Sequence, residues 1–280
     1  MSSYSSFAVI GAGTLGGPIL AALAAQPSAK VILLSRTASK KVPEYVQVVS
    51  VPSYDDVSAV TAALKSHNVD VIVSTLSIEA ISVQVPLIDA AKQAGIKLFV
   101  PSEFAAPSDG HTGPEFGEKN KIIAKLQSVG LPFLRIYNGV FTEFLTWVVN
   151  FDPAAKKLYV IGKSSGIVST TSIRDVAGYV AHILTHQTTS ALENQILRIE
   201  GDRISGFRSL GPLLNAEVET VETMGGEMPS FKAFLMGIAD NGLATTGHGV
   251  QGLSDEEASK SGNALWAGHQ WKTVKDILCS

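Results

Sequence analysis

The run IGAGTLGG, Ile10 to Gly17, carries GxGxxG spacing in Gly11, Gly13 and Gly16. That spacing suits a pyrophosphate. The first glycine allows a tight turn, the second lets backbone amides approach the phosphates without an intervening Cβ, and the third lets a helix pack closely on the strand before it. The phosphates then meet the positive end of the helix dipole. Which dinucleotide binds depends on the end of the next strand, where an acidic side chain would hold the ribose hydroxyls of NAD. Here VILLSR puts Ser35 and Arg36 in that place, and Lys40 and Lys41 follow. A 2′-phosphate would meet cations there instead of a repelling carboxylate, so NADPH is the expected cofactor, with Arg36 and Lys41 among its ligands.

A lysine offers the second piece of chemistry. On a helix expected from Pro114, Phe116, Lys119, Ile123 and Leu126 fall on one face, whereas Lys121 and Lys125 point elsewhere. A lysine in an apolar stripe either snorkels to a nearby edge or lines a cavity, where desolvation brings its pKa toward the range useful for proton transfer. Periodicity alone favours snorkelling. The YxxxK pair of short-chain dehydrogenases has one literal match, Tyr159 and Lys163, but LYVIGKSSG reads as a strand running into a turn. In a strand those positions lie about 13 Å apart, so the pair is set aside. His248 and His269 lack the i, i+4 spacing of a helical metal site, and the single cysteine, Cys279, excludes an internal disulfide and any multi-cysteine cluster. No metal is expected, and a cytoplasmic location fits this cysteine usage.

These residues need an α/β framework to position them. Six short apolar runs, Phe7 to Ile10, Val31 to Leu34, Val46 to Val51, Val69 to Ser74, Ile96 to Val100 and Phe133 to Tyr137, lack polar alternation, as strands buried on both faces do. Helical stripes lie between them: Leu15, Ile19 and Leu23; Val57, Val60 and Leu64 after Asp55 and Asp56; Val85, Ile88 and Ala91; and the Lys119 helix, with capping-box spacing in Thr112 and Glu115. The pattern predicts a Rossmann-like, doubly wound parallel sheet over residues 1–150, with returning elements near 165–200 and a small C-terminal substrate lobe over 151–280. In that lobe, strands are expected within Lys156 to Ser169 and over Gln195 to Glu200. Helices are expected over Ser172 to Leu184, Ser205 to Leu214, Phe231 to Ile238 and Trp266 to Leu278. The apolar stretch Phe7 to Ala25 is broken by four glycines and Pro18, which argues against a membrane span.

Composition narrows the functional classes. Of 280 residues, 45% are hydrophobic and 17% charged, which excludes a disordered chain. A net charge of -3 without a basic run leaves nucleic acid without its electrostatic footprint, and a small-molecule substrate is the expected partner. The sequence leaves the oligomeric state open.

Taken together, the glycine turn, Arg36, VDVIVSTL (Val69 to Leu76), IKLFVPSEF (Ile96 to Phe104), FGEK (Phe116 to Lys119), GLPF (Gly130 to Phe133) and IRDVA (Ile173 to Ala177) resemble the NmrA-like family of atypical short-chain dehydrogenases. The likeness is greatest to its isoflavone reductase and phenylcoumaran benzylic ether reductase branch, is good to about Leu184 and is poor after Gly201. The resemblance implies an NADPH-dependent reductase in which Lys119 is the general acid/base, reversing the snorkelling preference. It implies that Gly11, Gly13, Thr14, Leu15, Gly16, Thr75, Leu76, Ser77, Phe104, Lys119 and Asn138 contact the cofactor. Ser102, Glu103 and Phe104 would floor the site, with Glu103 as a loop-anchoring acceptor. Phe141, Phe144, Phe231 and Phe234 are candidate substrate walls for a small aromatic or conjugated molecule. The chain departs from the family at Thr14, where a glycine is usual, and at Ala105 after PSEF. The family also contains NADP-sensing regulators that act through a protein partner without turnover, the alternative reading.

Overall fold

The computed structural model describes residues 3–38, 42–43, 45–113 and 116–279. The chain forms two compact units, each assembled from three segments. The first comprises Met1–Glu103, Ser108–Ile136 and Val176–Ile196; the second comprises Phe104–Pro107, Tyr137–Asp175 and Leu197–Ser280.

In the first unit, β1 (Ser6–Ile10), β2 (Lys30–Ser35), β3 (Gln47–Ser50), β4 (Val71–Ser74) and β5 (Leu98–Val100) form a parallel sheet in the order β3-β2-β1-β4-β5. The register sets Val9 beside both Leu33 and Val73, and Val73 beside Val100. Every residue of β1 is buried, which explains its lack of polar alternation. Helices α1 (Gly16–Ala24), α2 (Val57–Ser66), α3 (Gln84–Ala94) and α4 (Gly117–Ser128) connect the strands. Asp56 caps α2 as its position predicts, Oδ1 accepting from Ala59 N at 2.9 Å. A sixth strand, β6 (Leu134–Tyr137), follows α4, and Phe133 just before it bridges to Phe99 of β5. The six predicted strands and four helices thus all form. Pro114 and Glu115, invoked for the start of α4, lie outside the described residues. The chain winds outward in both directions from β1, so the carboxyl ends of β1 and β4 flank a topological switch point, where α/β sheets bind ligands.

The second unit contains β7 (Val140–Phe141), α5 (Leu145–Val148), β8 (Lys157–Val160) and β9 (Val168–Thr171). Next, α6 (Ile173–His186) and β10 (Gln195–Arg198) carry the chain into the first unit and back. The remainder comprises β11 (Asp202–Ile204), α7 (Leu210–Leu214), β12 (Glu217–Thr220), α8 (Pro229–Asp240), α9 (Asp255–Ser259) and α10 (Val274–Leu278). Both strands expected between Lys156 and Ser169 form, but β8 pairs with β12 and β9 lies between β11 and β7.

Of the closing helix expected over Trp266 to Leu278, only the last part forms, as α10, and a 3-10 turn at Asn263–Trp266 precedes it. Gly268, at φ +80°, takes the left-handed conformation, and Asp175 draws the intervening chain aside by accepting from His269 Nε2 and Lys272 N, both at 2.8 Å. Conversely, α9 lies between Ile238 and Trp266, where no element is expected from the sequence, and its signal is the capping box of Ser254 and Glu257. Among the described residues no helix is long and apolar enough to cross a membrane.

Candidate active site

The glycine turn follows β1. Gly11 adopts φ +92°, and a Cβ on Gly16 would stand 2.1 Å from Gly11 O, so the first and third glycines are required by the backbone itself. A Cβ on Gly13 would meet nothing within 4 Å, and Gly13 and Thr14 are exposed with Leu15 half-buried beside them. The turn is therefore open where a phosphate needs access, and tight where the helix must approach. Thr75 Oγ1 donates to Ile10 O at 3.1 Å and Gly11 O at 3.0 Å, so this hydroxyl is committed to the turn. Leu76, the next residue, lines a cavity of about 180 Å³ with Gly11, Ala12, Ser35, Arg36 and Tyr54. Arg36 is exposed, its guanidinium 5.5 Å from the centre of the Tyr54 ring. The Tyr54 hydroxyl donates to Leu34 O at 3.1 Å, and burial pushes its pKa up. A glycine turn open at Gly13 and a cation beside an aromatic face fit the phosphates and one end of an NADPH molecule. Ser77 is exposed at the end of this loop, while Lys41 lies outside the described residues.

Lys119 occupies the first turn of α4, whose buried positions include Lys119, Ile123 and Leu126, with buried Phe116 just ahead. The stripe is as predicted and the ammonium does not snorkel. Lys119 is 7% exposed, and its Nζ donates to the main-chain oxygen of Glu103 at 2.8 Å and lies 4.8 Å from the Phe116 ring centre. Burial lowers its pKa to about 8, against an opposing pull from the Glu103 carboxylate and with help from Arg135. The neighbouring lysines behave as surface residues: Lys121 pairs with Glu118 at 2.5 Å and Lys125 with Asp89 at 2.7 Å.

The loop after β5 supplies the lysine's acceptor. Ser102 Oγ donates to Leu76 O at 2.7 Å, which ties this loop to the one behind the glycine turn. The Glu103 carboxylate accepts from Ser108 Oγ at 2.9 Å, the anchoring role expected of it. Sequence reasoning did not single out Tyr54, Ser108 or Arg135. Tyr54 is brought to Arg36 from the loop after β3, and Arg135 reaches Glu103 from β6, so neither leaves a local motif.

In the second unit, Phe104 and Asn138 are buried. Asn138 N donates to Ala105 O at 3.1 Å and its Nδ2 to Gly139 O at 3.0 Å, while Thr171 Oγ1 donates to Asn138 O at 2.8 Å. Its Oδ1 is buried with no hydrogen-bond partner among the described residues, an acceptor that a ligand amide could satisfy. The four aromatic residues form two pairs. Phe141 and Phe144 meet edge to face at 5.6 Å, and Phe231 and Phe234 stack at 6.1 Å on α8. Phe144 is 37% exposed. Lys232, between the α8 pair, is buried 4.5 Å from the centre of the Trp147 ring and donates to Asn150 Oδ1. Tyr159 lies in β8 and Lys163 beyond its end, as the strand-and-turn reading requires. Among the described residues no cluster of three or more His, Cys, Asp or Glu is placed to hold a metal ion.

Comparison with known proteins places these features in context. The model of the NmrA-like family matches residues 4–208 and stops near where the sequence likeness fades. Oxidoreductase BOA1 of Botryotinia fuckeliana is 33% identical over 189 residues, which are 63% of this chain and 60% of that protein. Isoflavone reductase homolog P3 of Arabidopsis thaliana is 28% identical over 158 residues, 52% of this chain and 49% of that one. The chain thus spans about half to three fifths of the length of these relatives. The solved binary complex of leucoanthocyanidin reductase with NADPH from Vitis vinifera covers 97% of both chains with a TM-score of 0.76 at 18% identity, a likeness of fold.

Proposed function

The chain belongs to the NmrA-like family, and from that premise we propose that it is an NADPH-dependent reductase acting on a small aromatic or conjugated substrate, with Lys119 as general acid/base. The observation that carries this reading is the buried Lys119 amine, bonded to a neutral main-chain oxygen and titrating at about 8. A lysine kept only for packing has no need of a buried ammonium, and a cofactor sensor has no use for a proton donor. The glycine turn and Arg36 would hold NADPH, with the guanidinium against its 2′-phosphate. When bound, NADPH supplies hydride chemistry; the protein orients the substrate and handles the proton. Lys119 Nζ would give its proton to the substrate oxygen, become neutral, and regain a proton from water.

In the reductive direction the amine must be charged, so turnover is expected to fall as pH rises through about 8. Lys119→Ala is expected to abolish turnover while NADPH binding, read by fluorescence, persists. Turnover undiminished in that variant would remove the assignment. The substrate is to be sought by following NADPH oxidation with aldehydes, enones, quinones and benzylic ethers.

A further inference from the structure

Glu103 offers Lys119 two acceptors, its main-chain oxygen and its carboxylate. The amine takes the oxygen, at 2.8 Å. The carboxylate has other neighbours: Ser108 Oγ donates to Oε2 at 2.9 Å, and Arg135 Nη2 forms an ion pair with Oε1 at 3.4 Å, an oxygen that accepts no hydrogen bond among the described residues. Arg135 is itself fixed, Nη2 donating to Ser108 Oγ at 2.8 Å and Nη1 to Asp109 Oδ1 at 2.7 Å. Asn120, next to Lys119, fastens the same loop by donating to Ser108 O at 2.7 Å and His111 O at 2.9 Å. Glu103 and Arg135 are 1% and 4% exposed. Two buried cations thus lie near one buried carboxylate, and the amine bonds to the main-chain oxygen beside it.

We propose that Arg135 is a positioning residue for Lys119: with Ser108 it claims the Glu103 carboxylate, leaving the amine on a neutral carbonyl and free to exchange its proton. This rests on Lys119 being the proton-transferring group. The physical reason is a contest of charges. A lysine paired directly with a buried carboxylate would be held in its charged form and make a poor acid, whereas a guanidinium nearby opposes that charge. Burial, Glu103 and Arg135 act on the amine in those respective senses. The other charged groups of these elements point away or are already paired: Asp109 lies with Arg135 at the rim, and Glu118 with Lys121 on the outer face of α4. The His111 ring packs on Phe116, with ring centres 5.4 Å apart. A cluster that merely anchored the loop would set stability without setting the lysine's titration.

The test is an NMR titration of the full chain labelled with [13Cε]lysine, the Lys119 signal being identified by its loss in Lys119→Arg. Arg135→Met is expected to raise the midpoint by about 1–3 pH units, as a freed carboxylate turns to the amine. Glu103→Gln is expected to lower it, and Arg135→Lys, which keeps the charge, to leave it near that of the wild type. An unmoved midpoint in folded Arg135→Met would overturn the proposal. Should that variant not fold, Ser108→Ala keeps every charge and removes the hydroxyl between Arg135 and Glu103. An upward shift there supports the proposal and an unchanged midpoint defeats it. Midpoints that move as expected while the pH profile of turnover stays still would uphold the positioning role and sink Lys119 as the proton donor.

Discussion

Lys119 is held at a cost to the fold. Its folded pKa of about 8 lies below the ordinary lysine value of 10.5. Between those values the unfolded chain binds more protons than the folded one, so stability rises as pH climbs from 8 to 10.5 and the penalty is fully present at pH 7. A gap of that size corresponds to roughly 3 kcal/mol. Lys119→Met keeps the stem's volume and removes the charge, and urea unfolding should find it more stable than the wild type at pH 7, with the difference shrinking toward pH 10. A variant that is less stable at pH 7 would mean that the bond to Glu103 O outweighs desolvation. Arg36 makes a separate prediction. Arg36→Ala should weaken NADPH binding about tenfold or more while sparing NADH, because a charge-assisted contact to phosphate is worth about 1.5–3 kcal/mol. An unchanged affinity ratio would refute the 2′-phosphate assignment. Both residues were legible as types at positions. Their partners were not, because Glu103 lies 16 residues before Lys119 and Tyr54 lies 18 after Arg36, on elements that only the folded sheet brings near.

The elements of the first unit show why the glycine turn was legible at all. Gly16 is compelled by the close approach of α1 to the end of β1, whereas Gly17, one residue on, would place a Cβ 3.9 Å from Ala12 O, an ordinary contact. The neighbours should therefore respond oppositely. Gly16→Ala drives its Cβ into Gly11 O and Thr75 Oγ1 and should cost about 1–3 kcal/mol of stability and much of the NADPH affinity. Gly17→Ala should leave binding intact and stabilise α1 by up to about 1 kcal/mol, the gain in helix propensity. Calorimetry with and without NADPH reads both, and equal responses would contradict this account of the turn. Beyond the turn, hydrogen bonds link successive loops: Thr75 to Gly11, Ser102 to Leu76, and Lys119 to Glu103. The strands and caps that set these loops, such as Asp56 on α2, follow from local patterns. The broken helix after Trp266 does not, since Asp175 that breaks it stands 94 residues earlier than His269.

At the scale of the whole chain, the two units do not correspond to two halves of the sequence. Residues 176–196 return to the first unit, where Asn194 N donates to Phe133 O at 2.7 Å and the Tyr4 hydroxyl donates to Glu193 Oε1 at 3.5 Å. The segment carries Val176, Val180, Ile183, Leu184 and Leu192, all fully buried. Burying five such side chains contributes on the order of 10 kcal/mol, as much as the net stability of a typical domain. A fragment ending at residue 150 would contain every strand of the parallel sheet, the glycine turn, Arg36 and Lys119, yet lack this layer. It is expected to show no cooperative thermal transition by circular dichroism and no saturable NADPH binding, although every local motif for that binding is present. A fragment that melts cooperatively and binds the cofactor would show that the returning helix is dispensable. The distinction separates local motif from fold: the glycine turn, Arg36 and Lys119 all precede residue 140, while part of the apolar core of the first unit comes from residues 176–196.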